Sequence, residues 1–590
     1  MTLVDPHSFA DPTQARVRHV DLDINVDFEA RRLQVHADYQ LDRPVTGALD
    51  LDGRDLTVVR AQAAGRPIAR ETGPTDKVMG QRLRLLDLGG ADRFSIDVVT
   101  SPQASALQWL EPRHTASGRH PFLYSQCEPL HARSIFPCQD TPSVRFTYQA
   151  RLSVPLGMTA VMAAEATGRE DQGPRRVFAF RMPQAIPSYL FAMAVGDLVF
   201  QELGPRTGVY AEPPLLEAAA WEFAENEAKL AAAEGLFGPY AWDRYDLLVM
   251  PPSFPINGME NPRLTFVTPL VLLGDRSRTA LVSHELAHAW TGNLVTNATW
   301  DDFWLNEGWT TYADHRITEK LEGPEIDGLL QMVLLDVLRE DIRAFGAYSP
   351  VTCLKTSLAG IDPDAVFSRV PYMKGQLFVL SLERAVGRER FDRFVRSYID
   401  RFRFQSLTTA EFVAFLQAEL PDAQQSVDLD AWLYEPGLTA SIPELRSSLY
   451  DEVQRWIMEY GHGRLPPAAV VPGWHPAQTT LYFRLLPARI PVDDCRLLED
   501  LFELRTTRHT VPLFEFLRLA IRSGYAQVWP TVERFAETVG NEYQLKRVFR
   551  SLADNDWSRP LARSLFERVR HRHHPITVGI VDQVLSDAGV

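Results

Sequence analysis

One short stretch constrains this chain more than any other. "VSHELAHAWTGN", residues 282–293, sets two of the chain's 15 histidines four positions apart, with a glutamate beside the first. Four residues is a little over one helical turn. On a helix, His284 and His288 therefore leave the same face, with Cβ atoms about 5–6 Å apart. That spacing suits the grip of two imidazoles on one zinc ion. Glu285 leaves at an angle to the side, where it can reach a metal-bound water without ligating the metal. Asp275 and Ser277 are the candidate N-caps of this helix, and Gly292 is its stop.

Catalysis requires a third ligand and a vacant fourth position. Glu307, in "WLNEGWTTYAD", is the best third ligand, on a second helix starting near Asp301 or Asp302. Two imidazoles and a carboxylate leave one tetrahedral corner for water, whose pKa zinc lowers from 15.7 to about 7. Glu285 would take the proton of that water and pass it to the leaving amine. Asp314, seven residues after Glu307, falls on nearly the same helix face two turns on. A carboxylate there could accept the free N–H of a ligand histidine and hold its tautomer.

At 590 residues the chain is too long for one core. Hydrophobic content of 45% and charged content of 23% are those of an ordinary globular protein, and no run approaches the roughly 18 apolar residues of a membrane span. A net charge of −15 disfavours nucleic acid or an anionic membrane surface as partner. The first twenty residues carry neither a basic stretch nor an apolar core, so no secretory signal is expected. Cys127, Cys138, Cys353 and Cys495 form no CxxC pair and no disulfide framework, as expected of reduced thiols in a cytoplasmic protein.

The hydrophobic period changes twice along the chain. In "VDLDINVDF", Val20, Leu22, Ile24, Val26 and Phe28 alternate with polar residues, as in a half-buried strand. Similar runs recur at "RRLQVHADYQL", "DLTVVRAQA", "RFTYQARLSV" and "RRVFAFRMP". The sequence thus predicts a β-sheet domain over 1–200. Helical spacing follows from "PLLEAAAWEFAENEAKLAAAEGLFG", predicting a second domain over 201–440. Residues 441–455 read as a linker, and 456–590 as short helices stacked like an α-solenoid. The tail "FERVRHRHHPITVG" clusters three histidines with basic residues and reads as a solvated helix face.

"PPSFPINGMENPRLTFVTP", residues 251–269, is too rich in proline and glycine to be a helix. "GMEN", "HELAH" and "NEG" at these spacings resemble the M1 family of zinc aminopeptidases. "FPCQDTPSV", "ENPRLTFVTP" and "AHAWTGNLVTNATWDDFWLNEGWT" resemble the branch of it that contains leukotriene A4 hydrolase and aminopeptidase B. The resemblance runs nearly end to end and is weakest in the last third. It implies a multidomain α+β fold: an N-terminal β-saddle, a thermolysin-like zinc catalytic domain and a C-terminal α-helical domain.

The resemblance also implies roles. Glu260 of "GMEN" would bind the substrate's free α-amino group, while Gly258 and Met259 line its backbone. Glu128, in "SQCEPLHAR", would hold the same amine, and Gln126 would line the substrate beside it. Tyr372, in "VPYMKG", would donate a hydrogen bond to the developing oxyanion. An ammonium held by two carboxylates gains charge-assisted hydrogen bonds, and a blocked N-terminus forfeits them.

The expected activity is removal of N-terminal residues from peptides by a monomer with one Zn2+ per chain. Two alternatives stand beside it: a bifunctional enzyme that also opens a lipid epoxide, and a non-catalytic peptide-binding protein on a peptidase scaffold. Departures from the epoxide hydrolase weigh against the first. Glu128 stands where that enzyme has glutamine, and Phe367 where it has a second tyrosine. Asp364 is kept, and Asn257 replaces the usual glycine. Asn541 and Tyr543 align with the basic residues that grip the substrate's carboxylate. Intact Glu285 and Tyr372 weigh against the second.

Overall fold

The computed structural model describes residues 5–278 and 280–590. An eight-stranded sheet holds, in spatial order, Glu165–Gln172, Arg175–Pro187, Arg145–Pro155, Val17–Asp27, Arg32–Val45, Ala91–Thr100, Leu56–Ala63 and Arg66–Pro67. All five strand-like runs of the sequence lie in it. The alternation is realised directly: Val20, Leu22, Ile24 and Val26 are buried while their neighbours face outward. Val17–Asp27 runs parallel to Arg145–Pro155 in the register His19↔Thr147. A four-stranded sheet, which includes Phe122–Ser125, packs beside the large one.

The loop that follows Phe122–Ser125 carries Gln126 and Glu128, and a buried guanidinium pins it. Arg133, wholly buried, donates to Asp140 Oδ2 at 2.8 Å and to the carbonyls of Met79, His7 and Asp140. Asp52 lies beside it, accepting from Ser8 Oγ, the Phe9 N–H and the Asp140 N–H. Removing one member of such a network leaves an uncompensated buried charge at a cost of about 3–5 kcal/mol. That network ties the loop to the chain at His7, Asp52 and Met79.

A five-stranded sheet begins at Val199–Glu202 and ends on the two-residue edge strand Gly258–Met259, which pairs antiparallel with Leu264–Val267. The alanine-rich run folds as two helices, Leu216–Glu222 and Asn226–Phe237, rather than one. At the break, Glu222 turns inward to accept the N–H groups of Gly274 and Arg276 at 2.8 Å each, a tertiary demand that overrides helix propensity. The histidines sit on the helix Ala280–Ala287, and the His288 N–H closes its last turn on the His284 carbonyl. Asp275 and Ser277 do not cap it. They close a turn on each other, Asp275 Oδ1 accepting from the Ser277 N–H and Oγ–H.

Glu307 rides on the helix Trp304–Glu322. Trp304 and Trp309 on this helix are wholly buried, Trp309 stacking on Tyr398 and Phe391 and meeting Phe412 edge-on. Truncating such a side chain costs about 3–5 kcal/mol, so the helix has little freedom to move. It packs closely against the helix Gly375–Val386 and against the π-turn Val370–Lys374 that leads into that helix. A Cβ on Gly308 would lie 2.7 Å from Gly375 Cα and 3.0 Å from the Pro371 carbonyl. Only glycine permits that approach, which brings Glu307 and Tyr372 together.

The N-terminal sheets and the region that carries the two histidines share one continuous apolar core. The C-terminal helices form a second, joined by Leu329 from the helix Pro324–Phe345. The irregular connection is shorter than expected: the helix Ser448–Gly461 takes over the second half of 441–455. Its start is fixed by Glu325, which accepts from the Ser448 N–H and hydroxyl, and it buries Val453 in the second core.

The histidine tail is not a solvated face. His573 and His574 are buried, their pKa values pushed by burial to about 4 and about 3. His573 donates to the Ala536 carbonyl, and His574 meets the Tyr124 hydroxyl at 3.2 Å. The last domain is thereby tied to the strand that leads into Gln126.

Gly308→Ala is expected to lower unfolding free energy by about 1–3 kcal/mol, the usual cost of overpacking, because only backbone is available to yield. Urea denaturation measures this; an unchanged midpoint would remove the close approach as a constraint.

Candidate functional site

Three donors meet at one point. His284 Nε2 and His288 Nε2 are 3.3 Å apart, and Glu307 Oε2 lies 3.5 Å from the first and 3.7 Å from the second. Ligands about 2.0–2.1 Å from a tetrahedral cation are about 3.3 Å from one another, so the triangle has the dimensions of one face of a zinc shell. Burial lowers the pKa of both imidazoles, His288 strongly, so each offers a lone pair rather than a proton. Glu307 Oε2 is buried with no hydrogen-bond partner among the described residues. Burial pushes the Glu307 pKa up to about 8, partly offset by a hydrogen bond from Tyr372. Two nitrogens and one oxygen, neutral or starved of positive charge, fit a zinc ion on donor chemistry as well as spacing.

The tautomer of His288 follows from its other side. Thr310 Oγ lies 3.3 Å from His288 Nδ1 and donates its one proton to the Thr291 carbonyl at 2.6 Å. Its oxygen is therefore left to accept from His288 Nδ1–H, which frees Nε2 for a metal. For His284 the expected partner is present but farther off. Asp314 Oδ2 is 3.9 Å from His284 Nδ1, an ion-pair separation longer than a hydrogen bond.

Glu285 lies under the edge strand Gly258–Met259. A Cβ on Gly258 would fall 2.2 Å from Glu285 Oε1, so any larger residue here would push the carboxylate from its place. Burial first, then the nearby charges of Glu260, Glu307 and Asp314, raises the Glu285 pKa well above the carboxylate range. Because Gly258–Met259 is the last strand of its sheet, its outer edge has backbone groups to offer an extended peptide.

A second group of acceptors adjoins the triangle. One carboxylate oxygen each of Glu128, Glu260 and Glu307 lies within 4.8 Å of the others. Glu128 Oε1 and Gln126 Oε1 are buried without hydrogen-bond partners among the described residues. Gln126 is oriented from its other end, where Nε2 donates to Met259 Sδ at 3.0 Å. Burial raises both acids, Glu260 to about 8 with Glu307 adding to it and Glu128 well above the carboxylate range with Glu260 adding to it. A cation bound between them reverses that shift.

Tyr372, half-buried on the π-turn, lies with its ring 6.1 Å from that of His284. Its pKa is raised well above the ordinary value by burial and then by Glu307, so the hydroxyl keeps its proton. Phe367 is 63% exposed, its ring 6.0 Å from that of Tyr372, and Asp364 pairs with His131 at 2.9 Å. Asn541 Nδ2 donates to Asn257 Oδ1, and Tyr543 carries Arg369 and Arg547 stacked on its ring.

All eleven site residues expected from the sequence lie in this one region. The supporting residues Asn293, Asn306 and Thr310 were not anticipated. Asn293, inside the opening stretch, donates to the Glu260 carbonyl at 2.7 Å, and Asn306, beside Glu307, reaches Glu260 Oε1 at 3.5 Å. Thr310 follows Glu307 by three, one helical turn, and that spacing was the available signal.

Family models match in chain order. The peptidase M1 N-terminal domain covers residues 18–190, the peptidase family M1 domain 221–432, and the leukotriene A4 hydrolase C-terminal domain 474–585. The chain is 38% identical to leukotriene A-4 hydrolase of Xenopus laevis over 98% of each chain. It is 32% identical to leucine aminopeptidase 2 of Ajellomyces capsulatus over 98% of this chain and 97% of that one. Among solved structures, yeast leukotriene A4 hydrolase in complex with bestatin superposes with a TM-score of 0.92 at 30% identity, covering 99% of this chain and 97% of that one.

Thr310→Val, nearly isosteric, removes the acceptor for His288 Nδ1–H. It is expected to weaken zinc binding by about 10- to 100-fold, as loss of a ligand-orienting partner does elsewhere. Chelator competition measures this, and unchanged affinity would exclude the orienting role.

Proposed function

Because the chain belongs to peptidase family M1 and is a metallo-aminopeptidase of that family, we propose that it removes N-terminal residues from short peptides with one zinc per chain, held by His284, His288 and Glu307. The observation that carries this reading is the pair of adjoining demands for positive charge. One is the donor triangle, and the other is the partnerless oxygens of Gln126 and Glu128 beside Glu260. A divalent cation answers the first and a substrate ammonium the second.

Zinc, when bound, supplies Lewis acidity that acidifies water and polarises a carbonyl. Glu285 takes a proton from the attacking water and delivers it to the departing amine, a role that suits a carboxylate with a raised pKa. Tyr372, kept protonated, donates to the oxygen that gains charge as the carbonyl becomes tetrahedral. Glu128 and Glu260 hold the α-ammonium through charge-assisted hydrogen bonds, while Gly258 and Met259 align the peptide backbone. A blocked N-terminus would leave the two carboxylates buried and unpaired, at a cost of about 3–5 kcal/mol, which enforces release from the free end.

The name of the Xenopus laevis relative supports a second reading, the lipid epoxide opening considered above. Phe367, a ring without a hydroxyl beside Tyr372, counts against it. We further propose a monomer acting in the cytoplasm. The four buried, unbridged cysteines support a reducing compartment, and no described helix is long and apolar enough to cross a membrane.

Two outcomes test the reading. Aminoacyl-p-nitroanilides are expected to be hydrolysed and their N-acetyl derivatives not; comparable turnover of the acetylated substrates would remove the exopeptidase assignment. Glu285→Gln is expected to keep its zinc by elemental analysis and to lose about 10²–10⁴-fold in kcat, the usual weight of a general base. Near-normal turnover would mean that another group does that work.

A further inference from the structure

Two residues that stand apart from the family pattern, Asn257 and Asn541, are partners in space. Asn541 Nδ2 donates to Asn257 Oδ1 at 3.2 Å across 284 positions of sequence. The orientation of the Asn541 amide is not free. Asn541 is the N-cap of the helix Glu542–Ala553, its Oδ1 accepting from the Gln544 N–H at 3.1 Å, so its NH₂ group must face the other way, toward Asn257. Asn541 is buried and Asn257 is exposed, so the bond is shielded from water on the C-terminal domain's side only. One residue on, the Glu542 N–H donates to the Pro255 carbonyl at 2.9 Å. Residues 541 and 542 of the C-terminal domain thus grip the chain at 255 and 257.

The gripped segment leads directly into the substrate strand. The Asn257 carbonyl accepts from the Thr268 N–H at 2.8 Å, and Gly258 follows, lying against Glu285. The strand that aligns the peptide is only two residues long and has a neighbour on one side alone. So short an edge strand holds its place poorly without help from outside the sheet.

We infer that Asn541 is a positioning residue for the substrate strand: through Asn257 it holds Gly258–Met259 at the height at which an extended peptide can pair with it. This makes the C-terminal domain part of the substrate grip. The inference rests on the aminopeptidase reading. Its expected signature is on binding rather than chemistry, because backbone pairing acts on ground state and transition state alike and therefore moves KM with kcat held.

The test uses the full-length zinc enzyme and a tripeptide substrate. Asn541→Ser retains a cap acceptor for the Gln544 N–H but is too short to reach Asn257, and Asn257→Ala removes the acceptor. Each is expected to raise KM by about 3- to 10-fold, the weight of one hydrogen bond between neutral groups. The double variant should be no worse than the worse single one, since both remove the same contact. Asn257→Asp keeps an acceptor and should raise KM less than Asn257→Ala does. Thermal midpoints should stay within about 2 °C, well under the shift from a 1 kcal/mol loss at the midpoint of a small domain. Unchanged KM, effects that multiply in the double variant, Asn257→Asp as damaging as Asn257→Ala, or losses that track a falling midpoint would each overturn the assignment. A parent enzyme that fails to release N-terminal residues would instead overturn the aminopeptidase reading itself.

Discussion

Buried negative charge without a buried counter-charge governs this structure. Glu128, Glu260, Glu285 and Glu307 gather in a region from which water is largely excluded, and burial raises the pKa of each. Carboxylates so placed are costly unless something positive joins them. Among the described residues no lysine or arginine enters the cluster. His284 and His288, the basic side chains that do face it, are kept neutral by burial. In the proposed reading that need for positive charge is met by what the site binds, a metal on one side and a substrate ammonium on the other. Affinity for both has one electrostatic origin.

The rest of the molecule holds that arrangement in place against repulsion. Trp304 and Trp309 anchor the glutamate helix on its aromatic side, and the Gly308–Gly375 approach sets its distance from Tyr372. Arg133 and its carbonyl partners fix the loop that presents Gln126 and Glu128. Asn293 and Asn306 hold Glu260 from behind. Each support comes from a different segment, so the acidic side chains are held together by packing and hydrogen bonds from several parts of the chain at once.

Much of this was legible in one dimension. Strands of period two with one buried face, such as Val17–Asp27, announce themselves because side-chain direction alternates by geometry. The triad His284, His288 and Glu307 was legible because a metal needs several donors, and a helix supplies two of them at a fixed interval. Less legible were features that answer to neighbours distant in sequence. Glu222 breaks an alanine-rich helix to reach Gly274 and Arg276, and His573 and His574 are buried although their surroundings in sequence are basic. The tail was misread because local composition says nothing of what packs over it.

The sequence by itself determined the chemistry: which side chains can ligate, which can carry a proton, and which face of each helix or strand they occupy. Those follow from residue type and from periods of 3.6 and 2, which are properties of the backbone alone. Tertiary structure decided the rest. The convergence of Glu128 with Glu260, the fit of Gly258 on Glu285, the Thr310 contact that sets the His288 tautomer and the reach of Asn541 to Asn257 all depend on distances between segments. Such distances are fixed by how whole elements pack, so no local stretch of chain contains them.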